Sequence, residues 1–357
     1  MSKMNLKTMK KTTKSNLITY AMVIVIFAVV QILVATGSMS SLMQGLLVPL
    51  CTYSIVAIGL NLCVGYLGEL SLGHAGFMCV GAFSSAFFTR CMENSSMNPT
   101  LRFIIALLIG TAVAAFFGFL IGIPVLRLRG DYLAIVTLAF GEIIKNVINV
   151  LYVGKDENGL HFAINDSKSL NMSGTGEMII DGAKGITGTP RQSTFLIGVI
   201  LILVALFVVF NLVNSRSGRA IMAIRDNRIA AESVGINITK FKLMAFTISA
   251  ALAGVAGVLY AHNLSMLKVS GFDYNMSILI LVYVVLGGIG NLRGSMIATI
   301  ILYALPELLR GFANYRMLIY AIVLIVMMLF NWAPAARNWR ARTMEKIRGT
   351  KNKKEAA

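Results

Sequence analysis

The polar residues that could do chemistry in this chain stand inside apolar stretches. Glu142, Lys145, Asn146 and Asn149 follow the spacing i, i+3, i+4 and i+7, so a helix would carry all four on one face. Placing each charge at the centre of a bilayer costs about 2.5–3.5 kcal/mol. The face is therefore expected to point toward other helices or water. Two interpretations stay open: a Glu142–Lys145 ion pair that orients helices, or side chains that line a passage.

A second polar group lies in the Gly-rich stretch GYLGELSLGHAG, residues 65–76. It contains the ionisable residues Glu69 and His74 and the hydroxyl of Ser71. Glycine disfavours a continuous helix, and backbone groups freed at membrane depth must face protein or a cavity. LGGIGNLRGS, residues 286–295, has the same character in the second half of the chain. Paired interrupted segments of this kind point to a transport site, and tight turns between short helices give the same pattern.

Signatures of catalysis are absent from the sequence. It contains no G-x-x-x-x-G-K-[ST] phosphate loop and no H-E-x-x-H or G-x-S-x-G motif. Cys51, Cys63, Cys79 and Cys91 have no metal-ligand spacing and are interpreted as small apolar residues. We therefore expect no catalytic residue, no metal and no cofactor in this chain.

The elements that position these residues are apolar runs of about the length that crosses a bilayer. The chain is 57% hydrophobic and 13% charged, which is half the charge of an ordinary soluble domain. Seven runs approach the roughly 20 residues that a spanning helix needs: 16–36, 45–64, 103–123, 132–152, 195–213, 243–262 and 317–332. Three shorter runs are 74–89, 276–288 and 295–309. The predicted fold class is an all-α polytopic membrane protein with about ten transmembrane helices, or eight if the Gly-rich segments only re-enter.

The net charge of +17 is concentrated in three patches. Residues 1–14 carry five Lys and no acid, residues 214–242 carry six basic and two acidic residues, and residues 337–357 carry eight and two. Basic residues separated by apolar spans mark cytoplasmic segments and argue against nucleic-acid binding. The apolar run that begins near residue 16 exceeds the core of a cleaved signal peptide, so it is interpreted as the first membrane helix.

These patterns predict the domain organisation. Residues 1–15 and 334–357 are expected to be basic cytoplasmic tails that flank a membrane domain at 16–333. Within that domain, residues 153–194 are predicted to be an extracytoplasmic loop. Residues 214–242 are predicted to form a cytoplasmic loop. Both termini are then cytoplasmic, in a multi-pass protein of the plasma or inner membrane.

Two further features concern packing and surface contacts. Ala250 with Gly254 and Ala253 with Gly257 are small-xxx-small pairs, which allow close approach of helix backbones. Residues 216–236 are too polar to span, and their isoleucines have a partly amphipathic spacing that ends at a terminating glycine. This strip either lies on the membrane surface or docks a cytoplasmic partner.

Several stretches resemble one family. RLRGDYLAIVTLAFGEIIKNV (127–147), residues 154–190, the strip 216–236 with KLMAFTISAALAGVAGVLYAH (242–262), and ILILVYVVLGGIGNLRGSMIA (278–298) are similar to the LivM type of permease subunit. That type belongs to branched-chain amino acid ABC importers. The likeness extends from about residue 45 to 332 and excludes the tails.

The resemblance implies an ABC importer permease fold, with this chain forming half of the passage. The implied partners are a second, LivH-like permease, two cytoplasmic ATPase subunits that bind ATP, and an extracytoplasmic solute-binding protein. Residues 216–236 would correspond to the coupling loop of such importers. The residues that would act in docking are Arg219, Arg225, Asp226, Ala230, Ala231, Glu232 and Gly235. The resemblance also implies that Glu69, Ser71 and His74 lie near the passage. Glu142, Lys145, Asn146 and Asn149 are candidates for its lining because of their shared helical face.

The resemblance leaves the solute open. Branched-chain amino acids are favoured, and urea, short amides or other amino acids are the alternatives, because urea importers use a permease of similar pattern. Two other classes compete. An ion-coupled secondary transporter would use Glu69, His74 and Glu142 as relay groups and would need no ATPase. A membrane enzyme would need a convergent catalytic set that three His and four Cys do not offer.

Overall fold

The computed structural model describes residues 11–93, 97–128, 130–156, 159–164, 170, 176–312 and 315–332. The predicted tails at 1–15 and 334–357 lie almost wholly outside these ranges. Within them the chain is mostly helical, which confirms the predicted fold class. The helices are α1 (Lys11–Ala35), α2 (Ser41–Asn61), α3 (His74–Cys91), α4 (Pro99–Val125), α5 (Asp131–Asn149), α6 (Phe195–Asn214), α7 (Arg216–Asp226), α8 (Arg228–Ser233), α9 (Ile238–Ala261), α10 (Tyr274–Gly287), α11 (Leu292–Leu308) and α12 (Arg316–Trp332).

All ten predicted apolar runs coincide with helices, including the three short ones. One boundary was wrong: the run 132–152 is helical only as far as Asn149, and a strand begins at Leu151. Six helical segments of the described residues are long and apolar enough to cross a membrane. They are Asn16–Ala35, Ser41–Leu67, Pro99–Val125, Phe195–Asn214, Ile238–Ala261 and Val269–Gly287. The total number of crossings stays a prediction.

The outward surface of these helices is apolar. Phe116 and Leu120 of α4 and Phe207 of α6 are exposed, as is Ile32 of α1. A monomeric soluble protein rarely presents apolar patches of this size to water. This surface fits hydrocarbon, and it supports a protein that crosses the membrane several times.

Helix α9 lies at the centre of the helical packing and touches its neighbours through small residues. A Cβ on Gly257 would lie 2.1 Å from the carbonyl oxygen of Met78 in α3. A Cβ on Gly254 would lie 2.4 Å from the Cβ of Ala114 in α4. Each position therefore has room only for hydrogen, and the predicted packing role of the small-xxx-small pairs is confirmed.

The segment predicted as a loop, residues 153–194, contains secondary structure of its own. Strand β1 (Leu151–Asp156) pairs antiparallel with β2 (Gly159–Ile164) and with β3 (Glu177–Asp181), in the order β2-β1-β3. Strand β4 (Ile186–Thr187) pairs with β5 (Met266–Leu267), which follows α9. The pairing of β4 with β5 places the two connections α5–α6 and α9–α10 on the same side of the helices.

The sheet is tied to the end of α3 by charged side chains. Arg90 forms ion pairs with Glu93 and with Glu177 of β3. At the C-terminal end of β3, Lys184 lies 2.8 Å from Asp181, and that hydrogen bond raises the pKa of the Lys184 ammonium group. The pair of Arg90 with Glu177 thus ties the sheet to the end of α3.

By its internal contacts the chain divides after Thr299 into two units. The first contains α1 to α10, the strands and the start of α11. The second contains the rest of α11 and the apolar helix α12, whose side chains Leu318, Ile322, Ile325 and Leu329 are exposed.

Candidate functional site

Helix α2 does not continue directly into α3. A π-helical turn (Leu62–Leu67) follows α2, Gly68 takes the left-handed conformation at φ 79°, and no regular helix resumes before His74. Wide turns of this type are often found at functional sites. We call residues 62–73 the interrupted segment. It includes most of the Gly-rich stretch in which the sequence predicts a broken helix.

The backbone groups freed in the interrupted segment have partners within the protein. The amide of Glu69 donates to the carbonyl of Cys63 at 3.2 Å, and the amide of Leu72 donates to Oγ1 of Thr137 in α5 at 3.0 Å. The carbonyl of Gly65 accepts a bond from Arg225 at 2.9 Å. Irregular backbone at membrane depth requires such hydrogen-bond partners, because lipid offers none.

Glu69 forms an ion pair with Lys242, near the start of α9. The Lys242 side chain is 4% exposed and the Glu69 side chain 14%. Because a buried charge is stable only with a partner, each of the two residues depends on the other. The sequence predicts a role for Glu69 but none for Lys242, which falls at the end of the basic stretch 214–242. The signal was a lysine directly followed by the apolar run of α9.

His74 and Ser71 form a hydrogen-bonded chain in the interior. Ser249 Oγ of α9 donates to the Gly59 carbonyl at 2.5 Å, so its contact of 2.7 Å with His74 Nε2 makes that nitrogen the donor. Nδ1 of His74 then accepts from Ser71 Oγ at 3.3 Å. Both residues are 1% exposed. Their bonds fasten α3 to α9 and α2, and their predicted role near the passage remains a prediction.

The contacts along α9 give the depth of the interrupted segment. Lys242 bonds Glu69, and Ser249, seven residues further, bonds His74. Seven residues of helix span about 10 Å, and Ser249 is the twelfth of 24 residues in α9. The interrupted segment therefore runs from near one end of α9 to its middle, and α3 begins at about half the depth of the bundle.

Helix α10 begins at the same depth. Ser277, in its first turn, accepts a hydrogen bond from the amide of Ala75 at 3.1 Å. The side chain of Asp273 caps the helix by accepting from the amide of Met276 at 3.0 Å. Two helices thus start at the same depth, next to α5.

The polar face of α5 lies beside this junction. Nζ of Lys145 is 2.5 Å from Oε2 of Glu142, and the two side chains are 20% and 27% exposed. The predicted ion pair therefore exists, and both of its side chains are partly exposed. Asn146 is exposed and Asn149 is half-buried. Glu142 also lines a narrow cleft whose other walls include Leu72, Gly76, Leu138, Asp273, Tyr274 and Ser277.

The two Gly-rich segments touch each other. Oδ1 of Asn61 accepts from the amide of Gly290 at 2.8 Å, and its Nδ2 donates to Ser295 Oγ at 2.7 Å. A Cβ on Gly65 would lie 2.4 Å from the nitrogen of Gly290, so the approach requires glycine. The sequence paired the segments by composition, and the structure brings them into contact. Asn61, which joins them, was not predicted.

The strip 216–236 forms two short helices with capped ends. Ser215 caps α7 by accepting from the amide of Gly218 at 3.1 Å, and Asn227 caps α8 by accepting from Ala230 at 3.0 Å. Gly235 follows α8 with φ 82°, as expected of a helix terminator. The strip is therefore an ordered element.

One face of the strip packs on the protein and the other is exposed. Ile221, Ile224 and Ala231 are buried. Ile229 is 81% exposed and Val234 74%. The predicted docking residues Ala230, Glu232 and Gly235 lie on the exposed side, together with Arg219. Ala231 faces inward and contributes to the packing of α8 instead.

Arg225 bonds both its neighbour Asp226 and the interrupted segment. Nε and Nη2 of Arg225 donate to Asp226 Oδ1 at 3.0 and 2.8 Å, while Nη1 donates to the Gly65 carbonyl. A Cβ on Gly68 would lie 2.5 Å from Arg225 Cγ. The loop thus contacts the interrupted segment directly, which the sequence could not indicate.

Among the described residues no group of three or more His, Cys, Asp or Glu could hold a metal ion. What the geometry offers is a junction of interrupted helices, an accessible polar face and an exposed loop. Residues 42–330 match the profile of a family described as the permease component of the branched-chain amino acid transport system.

The chain belongs to this permease family. Its match to the family covers most of its length, and it is a transport component and not an enzyme. This permease is 35% identical over 316 residues to LivM of the high-affinity branched-chain amino acid transport system of Salmonella typhimurium, covering 85% of this chain and 72% of the relative. It is 36% identical over 293 residues to LivM of Escherichia coli, with coverage of 79% and 66%.

The permease is also similar to LivH, another permease protein of the high-affinity branched-chain amino acid transport system. LivH of Salmonella typhimurium is 23% identical over 286 residues, which is 78% of this chain and 89% of that protein. No solved structure matches this chain.

Proposed function

We propose that this permease is the LivM-type subunit of an ATP-driven importer of branched-chain amino acids. It pairs with a second, LivH-like permease, and each supplies half of the passage. Two cytoplasmic ATPase subunits drive the complex, and an extracytoplasmic binding protein delivers the solute. Similarity to LivM over most of the chain supports the cargo, and similarity to LivH supports a partner of related architecture.

The exposed strip carries the proposal for ATP coupling. Ile229 and Val234 project from an ordered, capped loop, although burial of such side chains is favourable. Glu232 lies between them in sequence and is also exposed. An ordered surface that presents apolar side chains next to a charge fits a groove on a protein partner. We assign this surface to the ATPase and place it in the cytoplasm with both termini.

We assign the passage to the polar face of α5. Glu142, Lys145 and Asn146 are at least partly accessible, and the neighbouring exposed residues Ile143 and Val147 are apolar. The cleft beside Glu142 is lined by the first residues of α3 and α10. These helix ends would move when the strip 216–236 moves. Glu69, Ser71 and His74 support this region from the interior, and no cofactor is required in this subunit.

Uptake by the purified complex tests the proposal. The permease would be reconstituted in proteoliposomes with its LivH-like partner and the ATPases, and the loaded binding protein added outside. Labelled leucine, isoleucine and valine should accumulate only when ATP is enclosed, and excess urea should not compete. Uptake by the permease without ATPases, or uptake that stops when a proton gradient is collapsed, would favour a secondary transporter. Competition by urea would favour the alternative cargo.

A further inference from the structure

The interrupted segment, residues 62–73, has contacts with the chain on both sides of the exposed apolar residues Ile229 and Val234. Arg225 of α7 precedes these two residues and bonds the carbonyl of Gly65, and Lys242 of α9 follows them and pairs with Glu69. We propose that the interrupted segment is the element that carries movement of the loop into the membrane domain, and that Arg225 and the Glu69–Lys242 pair are its positioning residues. This inference rests on the proposed function, and it names the residues through which coupling would act.

Arg225 connects α7 to the interrupted segment through several contacts. Asp226 accepts from two guanidinium nitrogens at 3.0 and 2.8 Å and so fixes the plane of the group. The remaining nitrogen, Nη1, is then directed to the carbonyl of Gly65. The stem of Arg225 packs on Gly68, where no side chain larger than hydrogen fits. Polar and apolar contacts thus join α7 to the interrupted segment.

The Glu69–Lys242 pair is the second attachment. Glu69 follows Gly68 in sequence, whereas Gly65 precedes it. The side chains of the pair have little access to solvent. Opposite charges in a medium of low polarity attract over a longer range than in water. The segment is therefore expected to follow the start of α9 when the loop is displaced.

The interrupted segment leads to the junction beside the passage. Near one end Gly65 contacts Gly290, in the turn between α10 and α11, and Asn61, which directly precedes the segment, bonds Gly290 and Ser295 of α11. At the other end the segment continues into α3 at His74. A π-helical turn and a left-handed glycine are places where a chain bends at low cost. Displacement of the segment would therefore shift both helices that begin next to Glu142.

The test compares ATP consumption with solute uptake in the reconstituted complex. The neutral double variant Glu69→Gln/Lys242→Met removes both charges of the pair together, which buried ion pairs often tolerate without loss of fold. Arg225→Ala removes the other attachment. Lys240→Met, an exposed lysine on the same turn of α9, is the matched control. For each variant, the ATP hydrolysed per labelled leucine imported is measured, together with the yield of assembled complex.

We expect the double variant and Arg225→Ala to assemble, to hydrolyse ATP, and to raise the ratio of ATP to solute by about fivefold or more, the lower end of coupling between two sites. Lys240→Met should keep the wild-type ratio. Wild-type ratios in the double variant and in Arg225→Ala would overturn the inference and leave the proposed function intact. Failure of both to assemble would also overturn it, because the attachments would then serve assembly only. Failure of the wild-type complex to import with ATP would instead contradict the proposed function.

Discussion

Glu69 and Lys242 show how strongly a buried charge depends on its partner. Replacing Glu69 by Gln should leave the Lys242 ammonium buried without a counter-charge. Removal of one member of a buried pair costs about 3–5 kcal/mol. We expect a large fall in the unfolding temperature of the purified complex for Glu69→Gln. The double variant Glu69→Gln/Lys242→Met should recover most of this loss, and equal instability of the two variants would contradict a paired role.

Glu142 differs from Glu69 because its ion pair is open to its surroundings. The side chains of Glu142 and Lys145 are 27% and 20% exposed, against 14% and 4% for Glu69 and Lys242, so we expect this pair to contribute less to stability. Glu142→Gln should therefore change the rate of uptake without lowering the amount of folded subunit. Both quantities are measured on the same membranes. Loss of folded protein in parallel with uptake would show that the pair serves to orient helices.

At this scale the sequence predicts which residues are unusual better than it predicts their contacts. Spacing alone indicated the Glu142–Lys145 pair, because both residues lie on one helix. The partners of Glu69 and His74 lie on α9, more than 170 residues away in sequence. Such pairs depend on tertiary packing, which no local pattern specifies.

Helix packing around α9 depends on glycine at defined positions. Gly257→Ala would place a methyl group 2.1 Å from the Met78 carbonyl oxygen, and overpacking of this kind costs about 1–3 kcal/mol. We expect a lower unfolding temperature for the purified subunit. Gly45→Ala in α2 is the matched control, since nothing lies within 4 Å of its added Cβ. Equal effects of the two substitutions would contradict the close packing of α3 on α9.

The exposed strip makes a prediction about coupling. Replacing Glu232 by Ala and Gly235 by Ala changes the docking surface and strains a backbone with φ 82°. The double variant should insert and assemble, while ATP hydrolysis no longer drives uptake. Thr239→Ala, an exposed position outside the strip, should behave as wild type. Normal coupling of ATP hydrolysis to uptake in the Glu232/Gly235 variant would contradict a docking role for the strip.

The sequence predicts the helices, because each is marked by an apolar run. It does not predict the strands, because they depend on pairing with distant residues. Length and hydrophobicity locate a membrane helix because the bilayer demands both. The strand that begins at Leu151 continues an apolar run, so the sequence pattern predicts that α5 extends to residue 152. Strand β4 is two residues long and forms only because β5 lies beside it, some 80 residues later.

The arrangement of the whole molecule in the membrane is open to direct measurement. In a Cys91→Ser background, the remaining native cysteines are buried. A cysteine in place of the exposed Phe162 of β2 should react with an impermeant thiol reagent added to intact cells. A cysteine in place of Ile229 should react only after the membrane is permeabilised. Reaction of both positions from the same side would contradict the proposed topology.

We propose that the strip 216–236 receives force from a separate ATPase subunit. A photoreactive amino acid at Ile229 tests it most directly, in cells that express the complete transporter, with Phe162 as the matched position. Illumination should crosslink Ile229 to the ATPase subunit, and Phe162 should give no such product. A crosslink of Ile229 to an extracytoplasmic protein, or its absence while ATP-dependent uptake proceeds, would contradict the account.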